Sequence, residues 1–237
     1  MHRDLEGWTI AFDLDGTLVE TAEDLIGTLN RLLARDALPA LSLASGRNLI
    51  GHGAMALLKR GFEAAGAEWD EAASPALLQD FLADYLDHIA DHSTAYPGSV
   101  EALDALAARG AILCVATNKP TDLAVALFRA IGLESRFAAI CGPQSVSARK
   151  PDAAHIRETV LRAGGDPSRA IMVGDSITDL AAARATGVPC ILTSFGYTDI
   201  PAAELGADAV IEHFDELATV IDGLLVERSL SLSDQQV

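Results

Sequence analysis

The chain has 237 residues, half of them hydrophobic, and a formal net charge of −17. The length allows one large domain or two smaller ones around a substantial core, and the charge speaks against nucleic acid or an anionic membrane as partner, because both are bound by basic surfaces. Without an apolar run long enough to span a bilayer, or a signal-like core near the N-terminus, a cytoplasmic protein is expected, with Cys114, Cys141 and Cys190, each beside an apolar run, buried and reduced.

The first predicted element is a strand over residues 8–12, an apolar, β-favouring run without helical spacing that stops at Asp13-Leu14-Asp15-Gly16-Thr17. In a parallel sheet such a strand delivers its carboxyl end to a ligand crevice. Asp13 and Asp15, two apart on extended chain, then point to the same side. Anions held so close are costly unless a cation lies between them or one carries a proton, so the pair points to metal binding or acid/base work. A surface turn with a helix cap is the other reading of these residues.

Residues 19–34 carry Leu25, Leu29, Leu32 and Leu33 on one helical stripe. A loop composition over 38–45 precedes Gly46 to Gly53 and a second helix to about Ala64. Ser74-Pro75 opens a third helix to about His92, serine as its cap and proline in its first turn. Residues 20–94 are thus expected to hold helices only. After Tyr96-Pro97-Gly98 the pattern changes to alternation: a helix over 98–109, a strand over 111–116, a helix over 121–131, a strand over 137–141, a helix over 152–164 and a strand over 170–173. A helix from 178, a strand over 189–193, a short helix, a strand over 209–211 and a last helix from 215 follow, and the polar tail beyond Val226 is expected to fray. Such a rhythm calls for a parallel sheet with helices on both faces. The expected fold is α/β, a doubly wound parallel sheet of residues 1–18 and 97–237 with an all-helical cap domain, residues 19–96, inserted into it.

Three further strand ends carry polar residues. Thr117-Asn118 offers a hydroxyl, an amide and backbone N–H groups at the start of a helix, where anions bind; both residues are also common helix caps. Lys150, before Pro151, is by itself as readily a solvated surface charge. Gly174-Asp175-Ser176-Ile177-Thr178-Asp179 again ends a buried run in two acids, of which a turn and capping box account for one.

Paired acids, a Thr-Asn, a lysine and a second acid pair, in that order and each at a strand end, resemble the four motifs of the haloacid dehalogenase superfamily over nearly the whole chain. Within it, Phe12-Asp13-Leu14-Asp15-Gly16-Thr17-Leu18-Val19, Val115-Ala116-Thr117-Asn118-Lys119-Pro120, Gly174-Asp175-Ser176-Ile177-Thr178-Asp179 and the stretch Arg47-Asn48-Leu49-Ile50-Gly51-His52-Gly53 look most like the phosphoglycolate phosphatases. The chain departs in having Glu20-Thr21 where Asp-Ser is usual, and Ala153 in place of a proline after the Lys-Pro pair.

The resemblance implies a Rossmann-like core and an Mg²⁺-dependent phosphatase for a small anionic phosphomonoester, 2-phosphoglycolate first. By the same resemblance Asp13 would be the nucleophile that becomes an aspartyl-phosphate, and Asp15 the general acid and then base. Lys150, with donors around Thr117 and Asn118, would neutralise the phosphoryl oxygens. Mg²⁺ would be held by Asp13, Asp175 and the main-chain carbonyl of Asp15, and Asp179 would hold Lys150 or a metal-bound water. Arg47 and His52 are candidate contacts to the substrate's carboxylate; they read equally as a solvated charge and as a helix-end or core histidine. A phosphoglucomutase-like phosphotransferase is the alternative within the superfamily. A non-catalytic phosphate-binding module is the alternative outside it, and such a module is expected to have lost Asp13, Asp15, Lys150 or Asp175.

Overall fold

The structure is a computed structural model that describes residues 4–51 and 53–234, with side chains as far as Val226. In chain order the described elements are β1 (Thr9–Phe12), β2 (Val19–Glu20), α1 (Ala22–Arg35), α2 (Leu43–Arg47), α3 (Ala54–Ala64), α4 (Ser74–Asp87), β3 (Thr94–Ala95), α5 (Ser99–Ala108), β4 (Ile112–Ala116) and α6 (Thr121–Ala130). There follow β5 (Ala139–Cys141), α7 (Ala153–Arg162), β6 (Ala170–Gly174), α8 (Ile177–Thr186), β7 (Cys190–Thr193), β8 (Ala209–Ile211) and α9 (Leu217–Asp234).

Six strands form one sheet in the order β5-β4-β1-β6-β7-β8, every neighbouring pair parallel. This is the α/β, doubly wound parallel sheet read from the sequence. Because β4 and β6 flank β1 on opposite sides, strand order reverses there, and the crevice beyond its carboxyl end is where such sheets bind ligands. Period-two alternation sorts the strand side chains by size. Ile10, Phe12, Leu113, Val115, Ile171 and Val173 pack with Leu103 and Leu106 of α5, Leu127 and Phe128 of α6, and Leu217 and Ile221 of α9. On the other face Ala11, Cys114, Ala116, Ala170, Met172 and Cys190 meet Ile156 and Val160 of α7 and Leu180, Ala182 and Ala183 of α8. The smaller residues on this face let two helices lie close to the sheet, as dense interior packing requires. Cys114, Cys141 and Cys190 are buried and unpaired.

The residues between Leu18 and Tyr96 build a second core. Leu25, Leu29, Leu32 and Leu33 of α1, Leu57, Leu58 and Phe62 of α3, and Phe81 and Tyr85 of α4 cluster with Leu123 of α6 and Tyr197 from the sheet domain. Each such side chain contributes about 1.5–3 kcal/mol on burial, so the cluster fixes the helical layer and its seat over the carboxyl ends of the strands.

Five local expectations need correction. Residues 20–94 are not helices only, because the outgoing and returning segments pair as β2 and β3, antiparallel, with Val19 opposite Ala95 and Glu20 opposite Thr94; α1 consequently starts at Ala22. The segment read as a loop contains α2, capped where the Ser42 hydroxyl accepts from the Ser45 amide at 3.2 Å. Helix α4 ends at Asp87, because the backbone amides of His92 and Ser93 donate instead to the buried carboxylate of Asp24, at 3.0 and 2.8 Å. Ser74 is the first residue of α4 rather than its cap, its hydroxyl donating to the Glu71 carbonyl at 2.9 Å. Helix α9 runs past Val226 to Asp234. No described helix is long and apolar enough to cross a membrane.

Candidate active site

Asp13 follows β1, Thr117 follows β4 and Asp175 follows β6, three adjacent strands whose carboxyl ends lie side by side. Lys150 comes from the segment between β5 and α7, and its side chain is only 1% exposed. Its Nζ donates to Asp13 at 3.0 Å and to Asp179 at 2.5 Å. A buried ammonium needs such partners to stay charged. Burial alone would pull the Lys150 pKa down, but Asp13 and Asp179 hold it above the ordinary lysine value. The backbone of Lys150 is gripped in turn by the Asn118 side chain, which accepts from the Lys150 amide and donates to its carbonyl, both at 3.0 Å. The sequence reading gave Asn118 to the phosphate; its amide side chain is occupied with orienting Lys150. The Thr117 hydroxyl accepts from the Lys119 amide at 3.1 Å and keeps its own proton to donate.

Asp13, Asp175 and Asp179 each offer an oxygen within 4.8 Å of the other two. Burial first, then Asp179 and Asp15, push Asp13 up to about 6 against the opposing pull of Lys150. Burial first, then Asp179 and Asp13, also hold Asp175 well above the ordinary carboxyl range. The glycines make the crowding possible: a Cβ on Gly16 or Gly196 would run into the Asp175 side chain, and one on Gly174 into Asp179. Asp175 is fixed by the Tyr197 amide at 2.5 Å and the Thr17 hydroxyl at 3.3 Å. Asp179 is more fully bonded, one oxygen taking Lys150 and the other the Ser176 hydroxyl at 2.7 Å and the Ser176 and Asp175 amides at 3.1 and 3.2 Å. That pattern is a capping box at the start of α8.

Asp15 lies outside this trio. Its Oδ1 accepts from the Thr21 hydroxyl at 2.7 Å and from Lys119 Nζ at 2.9 Å. Lys119, a residue to which the sequence reading gave no role, also donates to the Tyr85 hydroxyl of α4 at 2.9 Å. One signal was legible: Lys119 stands two residues after Thr117 at a strand end, the spacing that marks Asp13 and Asp15. No pattern along the chain points to Tyr85 or Tyr197. A cavity runs between sheet and helical layer, floored by Asp13, Asp15, Thr117, Asn118 and Lys119 and roofed by Leu25, Ile50, Leu57, Phe81 and Tyr85.

Arg47, expected at the substrate, is not among the residues lining that cavity. It pairs with Glu20 at 2.6 Å, donates to the Tyr96 hydroxyl and the Phe195 carbonyl at 3.2 Å each, and lies over the Tyr197 ring. The Glu20 carboxylate also receives the hydroxyls of Tyr96 and Tyr197, and those contacts outweigh its burial and keep it below the usual glutamate value. His52 lies outside the described residues.

The donor set suits a divalent ion. Among the described residues, Asp13, Asp15, Asp175 and Asp179 meet two ammonium groups, Lys119 and Lys150, within this site. Burial first, and the neighbouring carboxylates with it, raise Asp13 and Asp175, and a hard cation with oxygen ligands would offset both. Asp179 is the most heavily bonded of the three, with one bond on one oxygen and three on the other, whereas Asp175 takes one bond on each oxygen; Asp13 and Asp175 are therefore the better placed to ligate.

A family model for haloacid dehalogenase-like hydrolases matches residues 10–193. A Caulobacter vibrioides protein named phosphoglycolate phosphatase is 52% identical over 211 residues, 89% of each chain. One of the same name from Mesorhizobium japonicum is 43% identical, over 92% of this chain and 96% of its own. Among solved structures, a crystal structure from Haemophilus somnus, described as a predicted phosphoglycolate phosphatase, superposes with a TM-score of 0.83 at 32% identity, covering 92% of this chain and 98% of that one.

Proposed function

The chain belongs to the haloacid dehalogenase-like hydrolases, and from that premise we propose that it is a phosphatase for small phosphomonoesters, 2-phosphoglycolate above all, with residues 19–96 as the cap domain over the site. The observation that carries the reading is the position of Lys150 Nζ, in contact with both Asp13 and Asp179 beside Asp175, at the carboxyl ends of the central strands.

Asp13 attacks phosphorus in line, and its new O–P bond forms as the bond to the leaving oxygen breaks. Asp15 gives its proton to that oxygen, so the alcohol departs neutral. In the second half Asp15 takes a proton from the water that attacks the aspartyl-phosphate, and inorganic phosphate leaves as the Asp13 carboxylate is restored. Lys150 and the Thr117 hydroxyl neutralise the phosphoryl oxygens, the main catalytic task in phosphoryl transfer. Asn118 sets the backbone from which Lys150 reaches, and Asp179 fixes its ammonium. Asp13 and Asp175, with the Asp15 carbonyl, would hold Mg²⁺, which when bound supplies positive charge to the phosphoryl group and keeps Asp13 ionised. Leu25, Ile50, Leu57 and Phe81 of the roof present apolar surface to this cavity, which would limit the access of bulk water to the reacting atoms.

The test is initial rates of phosphate release from a panel of small phosphomonoesters, with Mg²⁺ and with chelator. The reading expects Mg²⁺-dependent release with the highest kcat/KM on 2-phosphoglycolate. Isomerisation of a sugar phosphate without net release would replace it by a phosphotransferase, and no turnover of any ester would leave only a binding module.

A further inference from the structure

Among the described residues lining the cavity Lys119 is the single cation, and phosphoryl binding already has Lys150. Its side chain is 4% exposed, and its Nζ lies 2.9 Å from Asp15 Oδ1 and 2.9 Å from the Tyr85 hydroxyl, 4.3 Å from the centre of the Tyr85 ring. Lysine is rarely buried without a task that repays desolvation. Here the ammonium is enclosed by one carboxylate and one aromatic residue, and the aromatic comes from the other core. Tyr85 sits on α4, 1% exposed, its ring stacked on Phe81 with the planes 9° apart.

We propose that Lys119 is a positioning residue for Asp15, clamped from the helical layer by Tyr85, so that the cap takes part in proton transfer through a side chain that does not contact the phosphoryl group. The inference rests on the phosphatase reading and deepens it. Both bonds that fix Asp15, from Thr21 and from Lys119, fall on Oδ1. They hold the carboxyl plane and leave Oδ2 as the oxygen that exchanges a proton with the leaving group and then with water. Thr21 belongs to the segment leading into α1 and Tyr85 to α4, so both supports of the proton donor depend on the helical layer being seated. Cation–π contact and a hydrogen bond from one ammonium fix its direction as well as its distance.

A general acid matters most when the leaving group is a poor one, and this gives a readout that a scaffold residue would not move. Compare 2-phosphoglycolate, whose leaving oxygen is alkyl, with p-nitrophenyl phosphate, whose leaving group departs without a proton. For Lys119→Met the expected result is a fall in kcat of about 10²-fold on the alkyl ester and only a few-fold on the aryl ester, with KM little changed, since positioned proton transfer is worth about 10²–10⁴. Tyr85→Phe keeps the ring and its packing, and should show the same selectivity at roughly tenfold; Asp15→Asn sets its upper limit. Should Lys119→Met fail to fold, Tyr85→Phe decides alone. Equal losses on both esters, or a higher KM with kcat intact, overturn the inference while leaving the phosphatase reading standing. Wild-type protein that releases phosphate from neither ester overturns both.

Discussion

Lys150→Met removes the ammonium and keeps most of the buried stem. With Nζ 3.0 Å from Asp13 and 2.5 Å from Asp179, each contact carries roughly 6 kcal/mol of attraction at an effective dielectric near 20. Desolvation of the three charges cancels much of that, and severing buried pairs of this kind costs about 3–5 kcal/mol net. The loss has a definite pH sign. Burial and mutual repulsion already hold Asp13 and Asp175 above the ordinary carboxyl range, and without Lys150 the carboxyls move further up. The native variant then binds more protons than its unfolded chain at mildly acidic pH, so its stability relative to wild type recovers as pH falls. Urea unfolding of both proteins in chelator, followed by circular dichroism at pH 7 and pH 5, measures the difference. We expect a penalty of about 3–5 kcal/mol at pH 7 that shrinks at pH 5. A penalty below about 1 kcal/mol at pH 7, or one that grows on acidification, refutes the buried charge network.

Two other outcomes follow from the same residues. A divalent cation must displace the protons that burial favours on Asp13, which that burial pushes up to about 6. Calorimetric affinity for Mg²⁺ should therefore weaken at least about tenfold between pH 7 and pH 5, and an affinity that does not change removes Asp13 from the ligand set. Asn118→Ala deletes both 3.0 Å bonds to the Lys150 backbone; stability should drop by about 1–3 kcal/mol and kcat should fall while KM changes little. Unaltered kcat would show that Lys150 holds its place without the clamp.

What the sequence disclosed follows from which interactions are local. The sheet was legible because apolar runs such as Ile171-Met172-Val173 end abruptly at Gly174-Asp175, and a buried strand can stop in acids only where a pocket receives them. The fates of Asp24 and Arg47 were not legible. Asp24 looks like a solvated helix acid, yet it accepts from backbone 68 and 69 residues away. Arg47 beside glycines suggests an anion contact, but Glu20 reaches it from the paired segments β2 and β3, whose pairing has no periodic signature in two residues each. The hold of the Asn118 side chain on the Lys150 backbone was not legible either, because an amide at a strand end serves a phosphate or a backbone equally well. Tyr85 sits in an ordinary amphipathic helix, and only the docking of α4 over Lys119 gives its hydroxyl a role.

The claim on which the rest depends is that the Asp13 carboxylate itself takes the phosphoryl group. Acid quench during steady turnover of 2-phosphoglycolate, then borohydride reduction of any acyl phosphate and peptide mass spectrometry, addresses it directly. The account predicts a reduced residue at position 13, absent without substrate and absent from Asp13→Asn, which should also be folded and inactive. Steady turnover with residue 13 unmodified and the modification found on another carboxylate, or an Asp13→Asn protein that still releases phosphate at the wild-type rate, would contradict it.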